Sequence, residues 1–399
     1  MQGVPPKRMN VLFIHPNFPA QFVHHAAALA ADPAHRVVAL SMHGAPAPAG
    51  VEVCSYRPAT GQASPQLAHA HGCAAACAAL KAEGFVPDAV AAHTGWGDAM
   101  FVKDVFPAAR LIAYAEFFYD PDGPDATFDP AAPPMTAALR AALAARNAPV
   151  LHTLERADVA ISPTAWQRSL FPAPLRERMQ VLHDGIDLQR LVHRPDISLT
   201  LSTNSGELTL RPGDEMLTYV ARNLEPVRGF PTFMRALPAV LRARPRARVV
   251  IAGGDGNSYS YPAPAGKSWR AALLEEVGGQ LDLGRVHFTG VLPYRHYAAL
   301  LAVSKVHAYL TTPFVLSWSF LEAAMSGLPV VASATAPVLE FAGRLGVGTV
   351  GFFDHGALAD ALVERLARPA QPHVPRTLEE LDSRFCAAAF ARLLRPWGE

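Results

Sequence analysis

A chain of 399 residues, half of them apolar, exceeds what one hydrophobic core usually supports and carries enough apolar surface for two domains. Thirty-five basic side chains against 34 acidic ones leave a net charge of +1 and no broad positive field, which argues against nucleic acid as the main partner. Four cysteines (Cys54, Cys73, Cys77, Cys386) make no disulfide framework, and the early apolar run VLFI is far shorter than a signal-peptide core or a membrane span, so a reducing, cytoplasmic setting is expected.

The first half is a series of short apolar runs followed by helical stretches: NVLFIH (10–15) with QFVHHAAALAAD behind it, HRVVALS (35–41), DAVAAH (88–93), ARLIAYAEF (109–117), DVAISP (158–163) and MQVLHDGID (179–187). Continuous apolar strands alternating with helices predict a parallel sheet covered on both faces. The pattern restarts with MLTYVAR (216–222), ARVVIAGG (247–254), RVHFTG (285–290), VHAYLTT (306–312), LPVVAS (328–333) and a weaker GTVGFF (348–353). Between the halves, residues 194–215 are polar, rich in Ser, Thr and Gly, and lack helical periodicity, which predicts a linker or hairpin. The expected domains are therefore 1–190 and 191–375. Phe385, Ala388, Phe390, Leu393 and Leu394 recur at helical spacing and predict closing helices over 376–399.

Open α/β sheets bind ligands outside the carboxyl ends of their strands. That rule selects His15, Pro16, Asn17, His93, Glu116 and Asp184 in the first half, and Arg222, Gly253, Gly254, Asp255, Pro313 and Ser317 in the second. In YVARNLEPVRGF (219–230), Arg222 and Arg228 stand on either side of a Pro-bearing turn, where two forked guanidinium groups could bracket a diphosphate; two solvated arginines would read the same way. In TTPFVLSWSFLEAAMSG, Ser317 is a natural N-cap, so the amides of Trp318, Ser319 and Phe320 open a helix whose positive end attracts an anion. Glu322 follows in the early turns and could accept from a sugar hydroxyl, or simply be a favourable acid near a helix start.

GGDG (253–256) lets a ligand approach the backbone closely, although it does not match G-x-G-x-x-G and a plain tight turn is equally good. His93, in HTGWGD, could hydrogen-bond a substrate hydroxyl or phosphate, or be satisfied by local backbone. Glu116 could orient an acceptor or take its proton, or hold the following loop. His69, Cys73 and Cys77 share a helical face, yet their spacing suits no common zinc site and a fourth ligand is missing, so no metal is expected.

Taken together, these residues resemble the retaining GT-B glycosyltransferases of the family 4 group over nearly the whole chain. VARNLEPVRGF, ARVVIAGGDG, RVHFTGVLPYRHYAALLAVSKVHAYL and LSWSFLEAAMSGLPVVASATAPVLEF follow one another as that family's second-half motifs do. The resemblance implies an α/β fold of two Rossmann-like domains facing each other across a cleft, the nucleotide-sugar donor held mainly by the second and the acceptor by the first. It puts Arg222 at the phosphate-binding Arg position, Arg228 where a Lys is usual, and Glu322 at the second Glu of an E-x7-E motif that holds the nucleotide ribose. It likens His93 to an N-domain His that reaches the donor sugar. Phe314 stands where the first Glu of that motif would be, Ser317 where a Gly is usual, and HPNFPAQF, with Asn17, in place of a glycine-rich donor loop.

The expected activity is transfer of a glycosyl unit from a UDP- or GDP-type sugar to a glycan, lipid-linked or other acceptor, in glycan or glycoconjugate biosynthesis, with retention and without cofactor or metal. His93, Glu116, Arg222 and Arg228 would serve the reaction, with Asn17, Gly254, Asp255, Phe314, Ser317, Trp318, Ser319 and Glu322 around the donor. A GT-B epimerase, a sugar-phosphate synthase and a non-catalytic sugar-nucleotide or glycan-binding protein are the alternatives. Peripheral membrane association stays open, although no basic amphipathic helix stands out.

Overall fold

The structure is a computed structural model that describes residues 8–44, 46–191, 197–203, 206–369, 371 and 373–395. It divides into two compact units, the first built from residues up to 126, 135–185 and those from 379 on, the second from 127–134 and 186–378. In the first, β1 (Met9–Ile14), β2 (His35–Ser41), β3 (Val51–Ser55), β4 (Ala89–His93), β5 (Arg110–Tyr114), β6 (Val159–Ser162) and β7 (Met179–Val181) form one parallel sheet in the order β3-β2-β1-β4-β5-β6-β7. In the second, an antiparallel hairpin of β8 (Leu199–Thr203) and β9 (Gly206–Leu210) precedes a six-stranded parallel sheet. Its strands are β10 (Met216–Asn223), β11 (Arg248–Gly254), β12 (Val286–Gly290), β13 (Val306–Tyr309), β14 (Val330–Ser333) and β15 (Gly348–Val350), in the order β12-β11-β10-β13-β14-β15.

Both sheets run outward from a first strand in one direction, then restart beside it and run the other way. This doubly wound order creates a crevice at the carboxyl ends of β1 and β4 in one unit, and of β10 and β13 in the other. The apolar runs become strands because both faces are covered: Val11, Leu12, Phe13 and Ile14 of β1 are fully buried, as are Val249, Val250 and Ile251 of β11. β3 has no counterpart among the expected strands. It is an edge strand whose Val53 and Glu52 are exposed, so it lacks the unbroken apolar run that marks the others. Of the interval 194–215, residues 194–196, 204 and 205 lie outside the described residues; the rest includes the hairpin.

The C-terminal helix, Ser383–Leu393, belongs to the first unit. Phe390 and Leu394 are buried as expected, while Phe385 is 38% exposed and Cys386 takes its place on the buried side. Phe390 stacks on the buried His25 ring at 4.4 Å. Among the described residues, no helix is long and apolar enough to cross a membrane, and no group of three or more His, Cys, Asp or Glu could hold a metal ion. His69 turns toward Asp98, at 3.3 Å, which also accepts from Tyr56, while Cys73 and Cys77 are fully buried.

Burial pushes His25 and His183 from an ordinary value of 6.5 down to about 3. Both stay neutral in the folded chain while the unfolded chain takes up protons, so stability is full above about pH 6.5 and falls as the pH drops toward 3. Each histidine adds up to about 1.4 kcal/mol per pH unit to that slope. Thermal melts from pH 7 to pH 4 are expected to show a flatter decline in His25→Phe, which keeps the stack on Phe390; an unchanged slope would contradict this account.

Candidate active site

Arg228 sits at the crevice of the second sheet, in the turn between β10 and the helix Phe230–Ala243. Its Nη1 donates to Thr311 Oγ1 at 2.9 Å and to the Val315 carbonyl at 3.0 Å, and lies 3.4 Å from the Tyr309 hydroxyl, all on or just beyond β13. Its own carbonyl accepts from Tyr219 at 2.6 Å. Nε and Nη2 make no hydrogen bond to a described residue, so the guanidinium is anchored at one nitrogen and open at the other two. Phe314 is buried, packs on Tyr259 at 4.9 Å and carries the Arg228 guanidinium 5.9 Å above its ring, within cation–π range. An aromatic wall thus stands beside the guanidinium. Arg222, at the end of β10, is exposed and makes no hydrogen bond or ion pair with a described residue.

Glu225 is a site residue that sequence reasoning missed. It is 1% exposed, and its Oε2 accepts from the amides of Ser258, Tyr259 and Ser260 at 3.0–3.1 Å, clamping the loop that follows GGDG. Ser260 Oγ accepts from the Val227 amide at 2.9 Å, and Asn223 donates to Ser258 at 2.6 Å. The two glycines opening GGDG serve this packing. A Cβ on Gly253 would lie 2.8 Å from the Ala221 carbonyl oxygen, and one on Gly254 would lie 2.6 Å from Asn223 Oδ1. The close approach anticipated for a ligand is taken by the chain itself. Asp255 is drawn to Arg270 at 3.3 Å. Glu225→Ala is expected to cost about 2–4 kcal/mol, because three amides lose a charged acceptor at once, read as a lower urea midpoint.

Ser317 caps the helix Trp318–Met325, accepting from the Ser319 amide at 3.3 Å, while its own amide donates to the Tyr309 hydroxyl at 3.0 Å. The Phe320 amide donates to the Ser317 carbonyl at 3.1 Å. Two of the three amides expected to face an anion are therefore used by the cap itself. Glu322 is 8% exposed; Tyr294, which sequence reasoning also passed over, donates to its Oε1 at 2.8 Å. Burial pushes the Glu322 carboxyl up, against the hydroxyls of Tyr294 and Tyr297 and the nearby charge of Arg190. Arg190 stacks on the Tyr294 ring at 4.0 Å.

In the first unit, the crevice between β1 and β4 brings His15 and His93 together, with ring centres 5.1 Å apart. The Asn17 amide donates to His15 Nδ1 at 2.9 Å and the Gly95 amide to His93 Nδ1 at 3.1 Å, which leaves Nε2 as the donor of each ring. Burial, then the neighbouring His93, holds His15 well below its ordinary value. His93 Nε2 lies 3.5 Å from Glu116 Oε2, and Gln21 donates to Glu116 Oε1 at 2.7 Å. Tyr114 donates to the buried Asp184 at 2.6 Å. Asn17 is exposed on the turn after β1.

Two family models match the chain: the Glycosyl transferase family 4 group over residues 33–191 and Glycosyl transferases group 1 over residues 214–368. The chain belongs to the GT-B glycosyltransferases. No curated protein matches this glycosyltransferase. Among solved structures it is similar to sucrose-phosphate synthase from Thermosynechococcus elongatus, at 14% identity over 97% of this chain and 98% of that one, with a TM-score of 0.65. An alpha,alpha-trehalose-phosphate synthase (UDP-forming) from Burkholderia vietnamiensis aligns at 13% identity over 97% and 99% of the two chains, with a TM-score of 0.62. An E. coli trehalose-6-phosphate structure bound with UDP-2-fluoro glucose aligns at 12% identity over 96% of each chain, with a TM-score of 0.59. At such identities the likeness speaks to the fold, a pair of Rossmann-like units.

Proposed function

We propose that this glycosyltransferase moves a hexosyl unit from a UDP- or GDP-type sugar to a glycan, lipid-linked or other hydroxyl acceptor, with retention and without a metal or other cofactor. The observation that carries the reading is Arg228: one nitrogen fixed to the β13 exit, two left open at the crevice of a doubly wound sheet, in a chain of glycosyltransferase family. Such a group is preorganised for the charge that grows on a departing diphosphate. Arg222 adds a second, solvent-facing cation, and the Ser317-capped helix a favourable dipole. Glu322 would accept from ribose hydroxyls beside the hydroxyls of Tyr294 and Tyr297.

The bond from the anomeric carbon to the diphosphate oxygen breaks as the acceptor oxygen bonds to that carbon on the same face. The acceptor proton passes to the departing phosphate oxygen, which serves as base because Phe314 offers none. On the first unit, the Nε2–H of His93 would donate to a hydroxyl of the donor sugar, and Glu116 would orient the acceptor. A UDP donor draws support from the fold neighbour whose structure is described as bound with UDP-2-fluoro glucose. The absence of a carboxylate at Phe314 favours a second reading, binding of a sugar nucleotide without turnover.

Thermal shift against UDP-, GDP-, ADP- and TDP-sugars, followed by nucleotide release, tests both readings. One donor is expected to stabilise the wild type, to lose that effect in Glu322→Ala, and to release nucleotide when an acceptor is present. Stabilisation without release would favour the binding reading, and a released sugar of altered configuration would mark an epimerase. No stabilisation of a folded sample by any sugar nucleotide would overturn the proposal.

A further inference from the structure

At the opposite end of the second sheet's strands, the structure forms a half-open cavity of about 730 Å³. Lys305 and Pro329, which line it, immediately precede β13 and β14, so it opens at the amino ends of strands whose carboxyl ends carry the candidate site. Arg365, Arg368, His373 and Arg376 line the other side, from the helix His355–Ala367 and the chain beyond it. Among the described residues, no Asp or Glu lines the cavity. In a chain of net charge +1, four permanent cations around one concavity are a local concentration, and low-dielectric walls focus their field inward.

Two of the four have other work. Arg376 Nη1 donates to the Leu345 carbonyl at the end of the helix Ala336–Leu345, and Arg368 pairs with Glu364. The segment holding Arg376 is seated firmly: its amide donates to the Met325 carbonyl at 2.8 Å, and a Cβ on Gly327 would lie 2.6 Å from the Val374 nitrogen. Lys305 and Arg365 are half-buried and make no ion pair with a described residue. Glu215, the acid within electrostatic reach of Lys305, is shared with Arg244 at 2.6 Å and Arg246 at 3.2 Å, which leaves the positive charge in excess. Partly buried cations that outnumber the acids beside them are costly unless an anion joins them, and the volume suits a ligand larger than a single phosphate.

We propose that this cavity binds a phosphate-bearing anion, held by Lys305 and Arg365. It is a site separate from the donor site and does not rest on the glycosyl-transfer reading. A soluble phosphorylated metabolite and the headgroup of an anionic lipid share the required chemistry.

Calorimetric titration with pyrophosphate tests the site in wild type, Lys305→Gln/Arg365→Gln and Arg222→Gln, alongside cosedimentation with vesicles of mixed phosphatidylglycerol and phosphatidylcholine. Pyrophosphate is expected to bind the double variant at least about tenfold more weakly at this site, in a salt-sensitive way, and to keep that site in Arg222→Gln. Loss of pyrophosphate binding names a soluble anion. Loss of vesicle binding with an unchanged pyrophosphate isotherm names a lipid headgroup. Lys305→Arg/Arg365→Lys, which keeps both charges, is expected to retain whichever is lost, so that misfolding of the Gln variant does not decide the matter. Identical isotherms and sedimentation in the wild type and the double Gln variant would overturn the proposal.

Discussion

Replacing Arg228 with alanine is expected to lower the nucleotide-releasing turnover by about 10²–10³-fold, the scale of losing one preorganised charge at a reacting centre. The lysine variant discriminates between a bare charge and a fork. In the native side chain, Nη1 serves Thr311 and the Val315 carbonyl while Nε and Nη2 remain for a ligand. A single ammonium can take one of those duties but not both, so Arg228→Lys is expected to recover only part of the loss and to raise the KM for the donor. Full activity in Arg228→Lys would show that charge alone suffices; full activity in Arg228→Ala would remove Arg228 from the reaction.

Gly229→Ala is expected to destabilise the second unit by about 2–5 kcal/mol, combining a left-handed backbone with an overpacked core. Gly229 has φ +67°, and a Cβ there would lie 2.8 Å from Leu310 Cδ1 and closer still to Leu310 Cβ. Leu310 is 1% exposed, between β13 and Thr311, so it cannot yield without moving the residues that anchor Arg228. Urea unfolding should show a lower midpoint, and donor affinity should fall with it. A variant as stable as wild type would mean that the turn relaxes freely.

These two neighbours show how far reading along the chain reaches. Arg228 stands out in the sequence as a cation beside a Pro-bearing turn, but the partners that fix one of its nitrogens lie as far as 87 residues ahead, at Val315. Glu225 was passed over for the same reason: the three amides it clamps begin 33 residues later and meet it only because β10 and β11 pair side by side. GGDG was visible as a glycine cluster, yet its neighbours, Ala221, Asn223 and Leu224, belong to the adjoining strand and the turn beyond it. His69, Cys73 and Cys77 share a helix face, but Asp98, which draws His69 away, comes from the turn after β4.

By itself the sequence determined what depends on neighbours within a few residues. Both-faces burial made the continuous apolar runs into parallel strands, and the Ser317 hydroxyl reached the Ser319 amide two positions on. The edge strand Val51–Ser55, half-solvated, left no such trace. Tertiary structure decided which donors of Arg228 stay open, which amides of the Trp318–Met325 helix are already used, and where cations outnumber acids around Lys305 and Arg365. The reason is physical: a hydrogen-bonding group is spent or spared by whatever the parallel crossovers bring beside it, and those partners come from sequence-distant strands.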